Sequence, residues 1–202
     1  HFYGIGISGG AKGARKGPAL MPSGAKDIYP QIAPILDRIA AKDTHGNSCS
    51  GWIGKAGSGH FVKMIHNGIE YGEMQLIAEL YHALRFHANK TVDEIALLFE
   101  TWQKTNSASY LLDISAKILR TQENGIALID LILDKAGNKG TGNWSAKAAF
   151  ELGVPFSVGS AALQARFISA FKAERIKASK LLTLSKGSVN FELSQLQHSY
   201  QM

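Results

Sequence analysis

Gly59-His-Phe-Val-Lys-Met-Ile-His-Asn-Gly-Ile-Glu-Tyr-Gly72 is the stretch on which the reading of this chain turns. Within it Lys63, His66, Asn67, Glu70 and Tyr71 stand at i, i+3, i+4, i+7 and i+8, which at about 100° per residue puts all five on one stripe of a helix. The opposite face offers Phe61, Ile65, Ile69, Leu76 and Leu80 to a core, and Gly68 and Gly72, four apart, allow another backbone to pack close. A merely solvated face would be filled with Lys, Glu, Gln and Ala, so this mixture is unusual for solubility alone. The plainer alternative is a surface pair, Lys63 to Glu70, bridged through His66. An amine and a carboxylate two turns apart, about 10 Å along the axis, can address different atoms of one substrate lying between their tips, which suits separated proton transfers. A lysine serving as base must be neutral at the working pH, a state that burial or a nearby cation favours.

Downstream of residue 57 the pattern is helical almost throughout, with helices expected over about 59–89, 91–106, 107–120, 126–134, 141–152 and 157–182. Asn89-Lys90, Asn124-Gly125, the glycine-rich run 136–142 and Gly153-Val-Pro155 mark the breaks. Upstream, residues 1–7 read as the end of a buried strand, and residues 8–24, with five glycines and two prolines, as an irregular loop. Ile32, Ile35, Leu36 and Ile39 predict an amphipathic helix over 28–41, and a short edge strand is expected around 50–54. Residues 186–202 lose the period and are expected to be a divergent or disordered tail. The fold class expected is mainly α: residues 1–56 as the end of a Rossmann-type α/β domain, then an all-helical domain over 57–185.

Composition narrows the function. The 202 residues are 45% hydrophobic and 19% charged, ordinary for a globular chain with a sizeable core. The single cysteine, Cys49, cannot form an internal disulfide, and neither a leader nor an apolar run of membrane-spanning length is present, so a soluble, reducing, cytoplasmic setting without membrane partners is expected. A net charge of +6 would suit nucleic acid or a small anion. The basic residues decide: Lys12, Arg15 and Lys16 share one glycine-rich loop, Lys135 and Lys139 another, and the rest are interspersed with acids. That distribution favours a phosphorylated metabolite over nucleic acid. The seven histidines show no metal-ligand spacing, and no metal is expected.

Gly4-Ile-Gly6-Ile-Ser-Gly9 matches the letters of the dinucleotide fingerprint G-x-G-x-x-G. The assignment is rejected because the fingerprint opens a helix, whereas Gly10, Gly13, Gly17 and Pro18 follow here, and no second parallel strand ending in an acid stands at the expected distance. The alternative is a loop at the carboxyl end of a late strand, where Ser8, Gly9 and Gly10 offer hydroxyl and N–H groups to an anion, or else an ordinary tight turn. Lys139-Gly-Thr-Gly142 precedes a helix pattern, where a helix N-terminus and a lysine can hold phosphate together. Arg166, among Ala162, Leu163 and Phe167, either reaches outward or meets a buried anion.

Ile7-Ser-Gly-Gly10, Gly13-Ala-Arg15, Gly17-Pro18, Met21-Pro22, the stretch 59–72 with Met74-Gln75-Leu76, Lys139-Gly-Thr-Gly142 with Trp144, Gly153-Val-Pro155, Ala165-Arg166 and Glu174-Arg175 with Ala178-Ser179-Lys180 together resemble decarboxylating 6-phosphogluconate dehydrogenase, from Phe2 to about Leu182. The resemblance implies oxidation of 6-phosphogluconate by NADP, loss of carbon dioxide from the 3-keto acid, and an enediol that becomes ribulose 5-phosphate, the oxidative chemistry of the pentose phosphate pathway. It implies Lys63 as the base taking the C3 hydroxyl proton and Glu70 as the acid protonating the enediol carbon. Ser8, Gly9, Gly10, His66 and Asn67 would hold the sugar acid, and Tyr71, Lys139 and Arg166 its phosphate. Family members are homodimers and much longer; the coenzyme fingerprint is expected upstream of His1, and no counterpart of the arginine and histidine of the family's C-terminal tail is found in residues 186–202. An interior piece with little turnover is therefore expected. The competing readings are a non-catalytic helical module that binds a phosphorylated sugar acid or self-associates, and another member of the wider β-hydroxyacid dehydrogenase group.

Overall fold

The computed structural model describes residues 2–182 and 192–202. In chain order its first elements are β1 (Gly4–Ser8), α1 (Gly10–Lys16), β2 (Ala19–Ser23), α2 (Tyr29–Ile39) and α3 (Ser58–His82), the last continuing into a π-helical turn, Ala83–His87. There follow α4 (Val92–Trp102), α5 (Tyr110–Arg120), β3 (Gln122–Glu123), β4 (Ile126–Ala127), α6 (Leu128–Leu131), α7 (Thr141–Leu152), α8 (Ser157–Ser169), α9 (Lys172–Leu181) and α10 (Leu193–Gln201). Two compact units result, His1–Ile69 with Gly140–Pro155, and Glu70–Lys139 with Phe156–Met202. Their boundary falls inside α3. Among the described residues no helix is long and apolar enough to cross a membrane.

The first unit is built on β2. On one side β1 runs antiparallel to it, with Ile5 opposite Pro22 and Gly6 opposite Met21. On the other side the segment expected as an edge strand runs parallel: Leu20 N–H donates to the Cys49 carbonyl and Ile53 N–H to that of Pro22, both at 2.9 Å. β2, α2 and this segment thus form the β-α-β end of an α/β layer, with Leu20, Leu36 and Ala40 as its buried core. Residues 8–24 are more regular than their composition suggests. Gly9 and Gly10, at φ 132° and 58°, turn the chain from β1 straight into α1. β2 survives its proline because neighbours on both sides supply the ladder.

The second unit is a helical assembly centred on α4 and α5, where Leu84, Ile95, Phe99 and Leu112 are fully enclosed. Burying a side chain of that size stabilises by about 1.5–3 kcal/mol. α4 begins where Thr91 and Glu94 cap each other: Thr91 Oγ1 accepts from Glu94 N–H at 3.2 Å, and Glu94 Oε2 from Thr91 N–H at 2.7 Å. Asn124 and Gly125, both at positive φ, turn the β3–β4 hairpin, so the helix expected over 126–134 shrinks to four residues. The helix expected over 157–182 is two, α8 and α9, interrupted at Ala170 and Phe171. Residues 186–191 of the expected tail lie outside the described residues, but 193–201 form α10 instead of an irregular tail. Its Tyr200 stacks on Trp102 at 6.5 Å and donates to Glu73 Oε1 at 3.1 Å, which ties α10 to the core.

Candidate functional site

The amino-terminal half of α3 lies against β1 at unusually short range, and glycine makes this possible. A Cβ on Gly6 would fall 2.5 Å from the Gly59 carbonyl oxygen and 2.7 Å from Lys63 Cβ; one on Gly4 would meet the His60 ring, and one on Gly59 would sit 1.9 Å from the Met21 carbonyl oxygen. Gly4 and Gly6 are therefore covered by the helix and closed to a pyrophosphate. Contrary to the ground on which the fingerprint is rejected, a helix does begin at Gly10; β1 nevertheless pairs antiparallel with its successor, and its first glycines face α3.

This close packing brings Lys63 to the carboxyl end of β1. Its Nζ donates to Ser8 Oγ at 3.3 Å and to Asn67 Oδ1 at 2.5 Å, and Asn67 Nδ2 donates to Thr141 Oγ1 at 3.3 Å. Ser8, Lys63, Asn67 and Thr141 thus form one half-buried polar chain running from β1 across α3 to the first residue of α7. Both partners of Lys63 are neutral oxygens. The buried Ser145 hydroxyl fixes α7 in place, 2.8 Å from the Met64 carbonyl and 2.9 Å from that of Thr141. Gly9 and Gly10 follow Ser8, exposed, and a Cβ on Gly10 would meet nothing within 4 Å. His66 and Glu70 are half-buried on the same helix.

The second unit holds a cationic group of its own. The Arg166 guanidinium lies over the Tyr71 ring, 3.6 Å from its centroid. Arg166 also donates to the Gly137 carbonyl at 2.6 Å and to Met74 Sδ at 3.2 Å. The Arg166 guanidinium is thus held flat by an aromatic face and a main-chain oxygen. Lys139 is exposed on the irregular stretch that follows α6. Gly72 admits α8, since a Cβ there would stand 3.3 Å from Val158.

Several assignments along α3 need correction. Leu80 is buried, but Phe61 is 45% and Ile69 61% exposed, so the face read as apolar serves the core only in its later part. Met74 and Thr141 stand within the quoted motifs but, like Ser145, were given no site role by sequence; the hydroxyls at i and i+4 at the start of α7 are the signal that would have found Thr141 and Ser145. Among the described residues no group of three or more histidine, cysteine or carboxylate side chains could hold a metal ion.

Comparison with known proteins agrees with this architecture. Residues 59–201 match the C-terminal domain of 6-phosphogluconate dehydrogenase, and residues 1–54 match the NAD binding domain of the same enzyme. The chain is 48% identical over 184 residues to the decarboxylating 6-phosphogluconate dehydrogenase of Citrobacter amalonaticus, covering 91% of this chain and 41% of that protein. It is 49% identical over 185 residues to the NADP(+)-dependent decarboxylating enzyme of Bacillus subtilis, covering 91% and 39%. The chain thus spans about two fifths of the length of these relatives. The Plasmodium falciparum 6-phosphogluconate dehydrogenase, solved in its apo form, with NADP+ and with 6-phosphogluconate, superimposes with a TM-score of 0.88 at 37% identity over 98% of this chain and 43% of that one. A 3-hydroxyisobutyrate dehydrogenase from Salmonella typhimurium shares the fold at 21% identity and a TM-score of 0.57. With the end of an α/β layer leading into a helical domain, and with both parts matched by models of one enzyme, the chain belongs to the 6-phosphogluconate dehydrogenase family.

Proposed function

We propose that this chain carries the substrate-handling groups of an NADP-dependent decarboxylating 6-phosphogluconate dehydrogenase, whose reaction yields ribulose 5-phosphate and carbon dioxide. The observation that carries this reading is the polar chain Ser8–Lys63–Asn67, which holds an amine at a strand's end beside two exposed glycines, Gly9 and Gly10. Lys63 takes the proton of the substrate's C3 hydroxyl; its partners are neutral, so taking up or giving up a proton breaks no ion pair with them. Glu70, two helical turns further along α3, returns a proton to the enediol carbon after decarboxylation. Ser8, Gly9, Gly10, His66 and Asn67 hold the sugar acid through hydroxyl, main-chain N–H and side-chain donors. Tyr71, Lys139 and Arg166 receive the phosphate, for which a planar guanidinium and an ammonium are the appropriate donors. NADP is not assigned to Gly4 or Gly6, which are closed by α3.

The same proposal includes a cytoplasmic setting and a homodimer. Large exposed apolar side chains, among them Phe150 at 80% and Leu152 at 65%, support self-association. Sedimentation velocity of the purified chain is expected to show a species of twice the monomer mass. The substrate reading is tested by calorimetric titration of the chain with 6-phosphogluconate, with NADP reduction assayed in parallel. Saturable binding is expected, weakened about 10-fold or more by Lys139→Ala and by Arg166→Ala, as for a lost charge-assisted hydrogen bond. The 202 residues alone are expected to give little or no turnover, and a folded chain that binds no 6-phosphogluconate overturns the reading.

A further inference from the structure

Lys139 ends a stretch that has no apolar reason to be where it is. Residues 130–137 are all exposed, and the run from 132 to 139 contains no helix or strand, so its place depends on polar bonds to α8 and α9. Among the described residues three straps supply them. Asp134 Oδ1 accepts from Lys172 Nζ at 2.6 Å, while its Oδ2 and its main-chain carbonyl accept from the Arg175 guanidinium at 2.8 and 3.1 Å. Ala136 N–H donates to Ser169 Oγ at 3.0 Å, and the Gly137 carbonyl accepts from Arg166 at 2.6 Å. The last strap ends on the arginine assigned to the phosphate. Arg175 also donates to the Ser169 carbonyl at 3.1 Å, which joins the first strap to the second and holds the break between α8 and α9.

We infer that Asp134 is a positioning residue for anion binding: clamped between Lys172 and Arg175, it anchors the start of the 134–139 stretch and so sets where Lys139 stands. The inference rests on the assignment of Lys139 to the substrate phosphate. Asp134 touches no ligand in this scheme. It lies five residues before Lys139, and the straps at 136 and 137 carry the anchored stretch on toward the lysine. Two cations converging on one carboxylate fix a direction as well as a distance, which a single surface pair does not. The ligand class is a phosphomonoester of an acyclic sugar acid, and the specificity at stake is for the phosphate end.

The experiment uses the whole chain, titrated with 6-phosphogluconate in four forms: unchanged, Asp134→Asn, Lys139→Ala, and the two combined. Asp134→Asn is expected to weaken binding about 10-fold, or ~1.4 kcal/mol. The double variant should bind no more weakly than Lys139→Ala alone, because a residue that acts through Lys139 has nothing left to position. Amide hydrogen exchange over residues 135–139 should quicken in Asp134→Asn, and Arg175→Met should reproduce both effects from the other side of the clamp. Unchanged affinity in both Asp134→Asn and Arg175→Met, or a loss that adds fully to that of Lys139→Ala, overturns the inference and leaves the functional reading standing. A folded, unchanged chain that does not bind 6-phosphogluconate overturns both.

Discussion

Around α4 and α5, Leu84, Ile95, Phe99 and Leu112 are wholly enclosed, whereas the β1–β2 layer buries little beyond Leu20, Leu36 and Ala40 and relies on close backbone approach at Gly4, Gly6 and Gly59. The first region is stable because volume is filled; the second, because volume is left out. Their sensitivities to substitution are therefore opposite in sign of size. The helical core should suffer from shortening and tolerate modest reshaping, while the layer that carries Ser8 and Lys63 should suffer from the addition of a single methyl group.

The largest effect expected is that of Phe99→Ala, a loss of about 3–5 kcal/mol in denaturant unfolding, because its ring packs against Trp102 and leaves a cavity that rigid neighbours cannot close. Next comes Gly59→Ala. A methyl group 1.9 Å from the Met21 carbonyl oxygen must displace backbone, at about 1–3 kcal/mol, with faster exchange of the amides of β1 and β2 and weaker sugar-acid binding. If Gly59→Ala proved neutral, the contrast between filled and vacated volume would collapse. Thr91→Ala removes one half of the reciprocal cap on α4 and should cost about 1 kcal/mol by thermal unfolding, a smaller loss than that of Phe99 in the same helix.

The smallest effect should be electrostatic and confined to acid. Hydrogen bonds from Lys172 and Arg175 hold the Asp134 carboxyl down at about 2, below the usual value near 4 for an unfolded chain. The clamp therefore contributes fully above about pH 4 and is lost as pH falls through about 2. Glu94 is lowered in the same direction, chiefly by the Thr91 main-chain N–H and then by Lys90. A carboxyl titration followed by NMR should show Asp134 moving upward in Lys172→Met; no movement would remove Lys172 from the clamp.

What sequence revealed and what it concealed follow the same division. The starts of α4 and α7 were legible because Thr91 with Glu94, and Gly140 before Thr141, carry local signals for helix initiation. The stripe from Lys63 to Tyr71 was legible because α3 is continuous across it. Residues 8–24 were misread because β2 is held by partners on both sides, one of them some 30 residues away, and no local propensity records that support. The break between α8 and α9 was equally invisible: no glycine or proline marks it, and it is held by Arg175 on the Ser169 carbonyl. Phe61 and Ile69 were given to the core because periodicity defines a face without naming what covers it.

The glycines of β1 show how one pattern of letters can answer to two different selective pressures. In a dinucleotide fingerprint an alanine at the second glycine would be felt by the ligand, and nucleotide affinity would report the damage. At Gly6 the same alanine would be felt by Gly59 and Lys63, in the packing of the helix on the strand. A variant survey of this strand scored by nucleotide binding would thus be blind to its strongest constraint, whereas one scored by protein yield would find it at once.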